Sequence, residues 1–324
     1  MATNLQADAT WLIADIGATS TRCAVYRSND RRHRALEIFQ NDQFGSLKSL
    51  LGGYIGSLDE KPSGSALAIA APISGDDVQM TNRDWQFNRL ELAERLELER
   101  LDIINDFHAV AYALPQLPSR DLVEVGKATA YRAGSRVALG PGSGLGVGGW
   151  IVGSGRGVAM HGEGGHVTLS ARDEAEDRII AKIRDRYGHA SAERVLSGPG
   201  IIALHSAMHG DDMKTSREIT SGTVDRKCRA TMEQFYRFLA SVAADLAMTT
   251  GAYGGVYIAG GIVPDNIDQI QASTFRERFE EKNRYRNYMR AIPTYVISDP
   301  TPGLTGLMAY IAEHHASQTH DHPE

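Results

Sequence analysis

The chain has 324 residues, 42% hydrophobic and 23% charged, with 33 glycines and a formal net charge of -6. At roughly 100–200 residues per domain, this length predicts two domains with ample material for two cores. The acidic balance argues against a nucleic acid or an anionic membrane as partner, since either calls for a basic face; local basic patches remain available for a phosphorylated ligand. Two cysteines, Cys23 and Cys228, are far apart. They supply neither a zinc or redox spacing nor a disulfide framework, so a reducing compartment is expected. The N-terminus carries Asp8 and Asp15 and lacks a basic region followed by an apolar core, so no signal peptide is expected. The long uncharged stretches Val137 to Ser154 and Leu246 to Pro264 are broken by glycines and polar residues, which rejects them as bilayer helices. The default expectation is a cytoplasmic protein.

In chain order, the apolar run Trp11 to Ala14 ends in Asp15-Ile-Gly-Ala-Thr-Ser-Thr-Arg22, and Cys23 to Tyr26 resumes a strand pattern. Strand, glycine turn and strand predict a β-hairpin. Phe44 to Ile55 has helical spacing, and Ala66 to Ala71 is a buried-type strand closed by Pro72. Asn88 to Leu101 predicts one helix, capped by Asn88 with Glu91 three residues on. Leu101 to Ile104 is a short strand that delivers Asn105 and Asp106, and Phe107 to Leu114 is helical up to Pro115. After a proline-containing crossing, Arg136 to Leu139 and Trp150 to Val152 predict a second hairpin around a turn spanning Gly140 to Gly149. Two hairpins of one design hint at a duplicated lobe. Helical patterns dominate Glu174 to Arg186, Cys228 to Thr250 and Gly303 to His314, and Val256 to Ala259 is a strand ending in Gly260-Gly261. The terminal His320-Asp-His-Pro-Glu324 predicts a solvated, frayed end whose histidines are poor metal candidates.

Gly144 to Gly149 matches G-x-G-x-x-G, but a dinucleotide fingerprint needs a helix after the turn, and Trp150 to Val152 continues as a strand. The two glycine turns are then either plain hairpins or backbone N–H cradles for phosphate oxygens. Asp106, after an apolar strand and before an apolar helix, has two readings, a site carboxylate or the cap of the next helix. Asn105 is equally open to capping, turning or binding. Glu163-Gly-Gly-His166 sets a carboxylate and an imidazole on a flexible backbone, either bracketing sugar hydroxyls or forming an ordinary polar turn. Zinc is disfavoured there because no further Cys or His joins them. Glu193 is an isolated acid at an expected helix start, whose alternatives are capping or pairing with Arg194. Gly260-Gly261 admits either a planar ring near the backbone or close packing of strand on helix.

The order of these motifs is more specific than any one of them. Asp15 to Arg22, Ile103 to Phe107, Gly142-Ser-Gly-Leu-Gly146, Gly162-Glu-Gly-Gly-His-Val167, Ala192 to Gly200 and Tyr257 to Pro264 together resemble the bacterial glucokinase family. Ala70 to Gly75 and Met80-Thr-Asn82 with Trp85 extend the likeness over nearly the whole chain. The resemblance implies an α/β protein of two ribonuclease-H-like (actin-like ATPase) domains with a cleft between them. Residues 1–115 with 304–324 would form the smaller domain and 116–303 the larger. It implies ATP-dependent phosphorylation of the 6-hydroxyl of D-glucose with Mg²⁺, and a homodimer as the usual state. Asn105, Asp106, Glu163, His166 and Glu193 would be sugar ligands, with Asp106 as general base. Asp15, Gly17, Ala18, Thr19, Gly142, Ser143 and Gly144 would hold phosphates, with Asp15 also toward the metal, and Gly260 and Gly261 would lie near the adenosine. A kinase of the same fold for another hexose, or a non-catalytic ATP- and sugar-binding regulator, is the alternative. The related repressor/kinase family typically carries a Cys-rich zinc site, which two cysteines cannot supply. Ala18 stands where the family's first motif has a second glycine, and Ser143 replaces the usual Thr. A positive φ at position 18 would cost alanine about 1 kcal/mol. A close phosphate approach there would instead weaken ATP binding.

Overall fold

The computed structural model describes residues 9–315 except 29, 31, 82 and 212. The expected frayed tail and Asn82 therefore lie outside the described residues. The described residues fall into two compact units, one up to residue 116 together with those from 300 onward, the other residues 117–299.

In the first unit, β1 (Thr10–Ile16) and β2 (Ser20–Arg27) form the expected hairpin, and β3 (Arg34–Gln40) adds an antiparallel edge. After α1 (Leu47–Ser57) comes β4 (Gly64–Ile69), then the small ribbon of β5 (Asp77–Gln79) and β6 (Gln86–Asn88). Next are α2 (Arg89–Arg95), β7 (Arg100–Asn105) and α3 (Asp106–Ala113). The sheet order is β3-β2-β1-β4-β7, with β1, β4 and β7 parallel. Leu12, Ala14 and Ile16 alternate into the core with Leu50, Leu67 and Ile69, the period-two pattern of a sheet face.

The second unit opens with β8 (Leu122–Glu124), β9 (Arg136–Pro141), β10 (Leu145–Val152) and β11 (Gly157–Gly162). The helices α4 (Glu174–Tyr187), α5 (Gly198–His209), α6 (Ser216–Ser221) and α7 (Arg226–Thr250) come after them. Then come β12 (Gly255–Ile258), α8 (Ile267–Ala272), α9 (Phe275–Glu280), α10 (Arg286–Arg290) and β13 (Thr294–Ile297). Its sheet order, β11-β10-β9-β12-β13-β8, repeats the first unit's plan with β8 added at the edge. Two antiparallel partners flank one side of each first central strand and parallel strands the other, so the duplication hinted at by the hairpins is carried by topology. Both membrane-length stretches resolve into this architecture. Val137 to Ser154 is the β9–β10 hairpin with the bend after it, and Leu246 to Pro264 runs from the end of α7 through β12. No helix among the described residues is long and apolar enough to cross a membrane.

Three expectations change. The helix predicted over Asn88 to Leu101 is only α2. Asn88 does cap it, its side chain accepting from the Leu90 and Glu91 N–H groups, but Glu97 takes φ 56° and ends it. Leu96 and Leu98 are buried from a turn as well as a helix would bury them, which is why the apolar spacing overran the helix. The turn predicted over Gly140 to Gly149 shrinks to Gly142-Ser-Gly144, because Leu145 to Gly149 pair with β9. The first helix begins at Leu47 rather than Phe44, since Ser46 forms a capping box with Ser49. The edge strand β3 escaped notice because five of its seven residues in a row, Arg34 to Ile38, are exposed and leave no apolar alternation.

A buried ion cluster holds the helices of the second unit. Glu176 on α4 accepts two hydrogen bonds from Arg278 on α9, at 2.8 and 2.6 Å. Gln234 of α7 and the Arg172 N–H supply further donors to the same carboxylate. Burial pulls the Arg278 pKa down and Glu176 opposes it; a buried charge of this kind is tolerated only when so completely paired.

The chain returns to the first unit as α11 (Pro302–His315), which packs on α3. A Cβ on Gly306 would stand 1.7 Å from the Ala109 carbonyl oxygen. Both partners are helical backbone, so neither yields easily. Gly306→Ala is expected to destabilise the protein by about 1–3 kcal/mol, the cost of overpacking a close contact. Urea unfolding would show a lower midpoint at unchanged slope; an unchanged midpoint would rule out this tight seat for α11.

Candidate active site

In the first unit, the parallel register aligns Ile16, Ile69 and Asn105 in one row at the ends of β1, β4 and β7. Adjacent strands lie about 4.8 Å apart, so Gly17 and Asp106, the next residues of the outer two, sit two strands or about 10 Å apart at the same sheet edge. Asn105, not Asp106, is the cap of α3. Its Oδ1 accepts the Phe107 and His108 N–H groups at 2.9 and 3.2 Å, and its Nδ2 donates to the Ala71 carbonyl at 3.2 Å. Asp106 is the helix's first residue, half-buried, with Oδ1 also accepting the Phe107 N–H at 2.9 Å. The reading of Asp106 as a mere cap is thereby corrected, because the neighbouring amide already occupies that position.

The first glycine turn is the three-residue connection Gly17-Ala18-Thr19, closed by the Gly17 N–H donating to the Ser20 carbonyl at 3.0 Å. Ala18 is not among the residues with positive φ, so its methyl carries no backbone strain. The Thr19 side is exposed. Asp15, just before the turn, pairs across the hairpin with Arg22, whose Nη1 lies 3.9 Å from Oδ2. Sequence reading missed Arg22 as a neighbour of this acid, although folding the hairpin about its turn places it there. The Arg22 Nε is buried without a hydrogen-bond partner among the described residues. Asp15 also faces the first turn of α11, where a Cβ on Gly303 would lie 2.9 Å from its Cγ.

In the second unit the structure brings together Glu163, His166 and Glu193. His166 Nε2 lies 3.8 Å from Glu163 Oε2 and 3.9 Å from Glu193 Oε1. Glu163 and His166 are exposed at 62% and 57% of the side chain while Glu193 keeps only 29%, so two groups face solvent and the third is held back. The Glu163–His166 turn, expected on a flexible backbone, is closely packed. It is a short 3-10 turn seated on β10, where a Cβ on Gly165 would lie 2.1 Å from the Leu145 carbonyl oxygen. Nor is Glu193 at a helix start: Ser197 caps α5, its Oγ accepting the Gly200 N–H at 3.0 Å. The Glu193 N–H donates to the Gly165 carbonyl at 2.8 Å, and its Oε2 accepts the Leu145 N–H at 2.9 Å. Arg194 lies over the Tyr187 ring, so the expected alternative of pairing with Glu193 is not what holds it.

The second glycine turn, Gly142-Ser143-Gly144, has the length of the first. The Gly142 N–H donates to the Gly144 carbonyl, and the Gly142 carbonyl accepts the Gly198 N–H, both at 2.8 Å. Ser143 is exposed at its tip. Gly260 has φ 80° and would place a Cβ 2.2 Å from the Pro141 carbonyl oxygen, so packing against β9 accounts for it, whereas Gly261 faces open space.

Among the described residues no three His, Cys, Asp or Glu side chains are placed to hold a metal ion. A metal carried by a nucleotide needs only one or two protein carboxylates, and Asp15 is the carboxylate on β1 just before the first glycine turn. Burial raises the Asp15 pKa and Arg22 opposes the rise. A raised carboxyl favours folding in acid and loses that contribution as pH climbs through its folded value. Asp15→Asn is therefore expected to raise the melting temperature at pH 7, with the difference vanishing below about pH 4. Thermal melts at both pH values test this; a variant less stable at pH 7 would contradict it.

The family model for glucokinase matches residues 12–314. The glucokinase of Nitrobacter hamburgensis is 38% identical over 306 residues, covering 91% of this chain and 95% of the relative. A glucokinase structure from an Antarctic psychrotroph superposes with TM-score 0.82 at 31% identity, covering 94% of this chain and 99% of the other. A Balamuthia mandrillaris glucokinase in complex with glucose superposes at TM-score 0.75 and 20% identity over 94% of each chain, a likeness of fold. Sheet order, motif order and these matches agree: the chain belongs to the glucokinase family.

Proposed function

We propose that this chain phosphorylates D-glucose at its 6-hydroxyl with ATP, Asp106 acting as general base. The observation that supports this reading best is the convergence of Glu163 and His166, on one turn, with Glu193 from a separate segment, which sets two carboxylates 3.8 and 3.9 Å from one imidazole, all groups able to bond hydroxyls. Phosphoryl transfer asks for alignment and charge neutralisation more than covalent help. The sugar hydroxyl must still lose its proton as its bond to the γ-phosphorus forms and the bond from that phosphorus to ADP, the leaving group, breaks. Asp106 takes that proton: an ionised carboxylate only accepts, and the Phe107 N–H bonded to Oδ1 fixes the direction in which the group is held. Asn105 keeps the strand end and helix start in register through its bonds to Ala71 and α3, and offers its amide beside the base.

Glu163, His166 and Glu193 bind the remaining hydroxyls and give specificity, because a site built to hydrogen-bond a hydroxyl penalises its absence strongly. Gly17, Ala18 and Thr19, with Gly142, Ser143 and Gly144, form the two phosphate turns, and Gly260 and Gly261 border the adenosine. Asp15 would hold the Mg²⁺ that accompanies the nucleotide, which would supply positive charge for phosphoryl transfer. The proposal includes a cytoplasmic homodimer, on the strength of the family resemblance.

Asp106→Asn is expected to bind glucose measurably while kcat falls by about 10²–10⁴-fold or more. A coupled assay with glucose and ATP, run beside mannose, fructose and N-acetylglucosamine, reads both turnover and sugar preference. Near wild-type turnover in the variant would sink the base assignment, and a preference for another sugar would replace glucose as the substrate.

A further inference from the structure

The Glu193 carboxylate is divided between two tasks. Oε2 accepts the Leu145 N–H at 2.9 Å, while Oε1 lies 3.9 Å from His166 Nε2. Leu145 is the first residue of β10, directly after the turn Gly142-Ser143-Gly144. A Cβ on Gly144 would stand 2.6 Å from that same Oε2. The backbone of Glu193 is fixed independently: its N–H donates to the Gly165 carbonyl and its own carbonyl accepts the Ser197 hydroxyl, both at 2.8 Å. What remains free is the rotation of the side chain, and the Gly144–Leu145 peptide sets it.

We infer that the Gly144–Leu145 peptide is a positioning element for Glu193, committing Oε2 to the protein and presenting Oε1 alone to a sugar hydroxyl. The inference rests on the proposed sugar role of Glu193. It assigns Gly144 a task that phosphate binding does not require, since the bare Cα is what leaves room for the carboxylate. It also specifies what an amide does there. A glutamine at 193 must aim its oxygen at the Leu145 N–H, which turns its NH₂ toward the sugar and replaces an acceptor by a donor. Without the positioning peptide the amide is free to turn round, and the penalty shrinks.

The test is glucose binding in the absence of nucleotide, by isothermal titration, for wild type, Gly144→Ala, Glu193→Gln and the double variant, with melting temperatures alongside. The clash in Gly144→Ala falls on the free end of a side chain, so the fold is expected to survive while glucose affinity drops about tenfold or more, as for loss of a charge-assisted hydrogen bond. Glu193→Gln is expected to weaken glucose in the wild-type background and to add little in the Gly144→Ala background. Leu145→Pro removes the same donor at the first residue of a strand; because it also removes a buried core side chain, it is read only where its melting temperature holds, and there it is expected to reproduce the loss. Unchanged glucose affinity in Glu193→Gln would overturn the sugar role itself. A loss in Glu193→Gln without one in Gly144→Ala and Leu145→Pro would overturn the positioning element and leave the sugar role standing. Penalties that add in full, or an affinity loss that merely tracks a fallen melting temperature, would overturn it too.

Discussion

Parallel strand pairing constrains where chemistry can sit in this chain. Parallel strands must be joined by crossovers, so their carboxyl ends collect at one edge of the sheet, and the loops leaving them lie side by side. The row Ile16, Ile69, Asn105 is that edge in the first unit. The Asp15 turn, Ala71 and Asp106 lie along it, and the Asn105 amide bonded to Ala71 ties two of the three exits together. In the second unit β9 and β12 pair in parallel, and their exits meet where Gly260 packs on Pro141. Nearly every residue with chemical promise lies at or next to such an end.

The second unit adds a different device. Its acids and imidazole do not lie on strand ends alone but on turns cross-linked by backbone hydrogen bonds: Glu193 to Gly165, Gly198 to Gly142, and Leu145 to the Glu193 side chain. A glycine-rich sequence suggested flexibility here, and the glycines are used instead for close backbone packing. Where the absence of a Cβ is used for close approach, the backbone is pinned by its neighbours, as Gly165 is on β10. Such turns hold ligand-binding groups at small entropic cost on binding, because the ordering has been completed by folding.

The capping half of the question at Asp106 is answered by its neighbour. Asn105 satisfies the orphan N–H groups of α3, which leaves Asp106 as the first helical residue rather than the cap. Ala18 is resolved in the same manner. Its φ is not positive, so the departure from the family's second glycine has no backbone cost.

Period-two and helical apolar patterns, together with the caps at Asn88 and the proline after α3, made the hairpins, the central strands and the long helices legible from residues alone, because those signals are local. Motif order made the family legible. Four things were not: the exposed edge strand β3, the early end of α2 at Glu97, the register that sets Arg22 beside Asp15, and the bond between Leu145 and Glu193. The strand β3 lacks apolar alternation, and Arg22 is placed only by the exact register of a predicted hairpin. The end of α2 depends on a backbone angle that no local pattern demands, and the last bond on a partner distant in sequence. Residues 145 and 193 meet only because β9, β10 and the turn before α5 are packed as they are. The amino-acid sequence determined which groups are available for chemistry; the tertiary structure decided which oxygen of Glu193 the protein keeps for itself, since a hydrogen bond 48 residues apart exists only after folding.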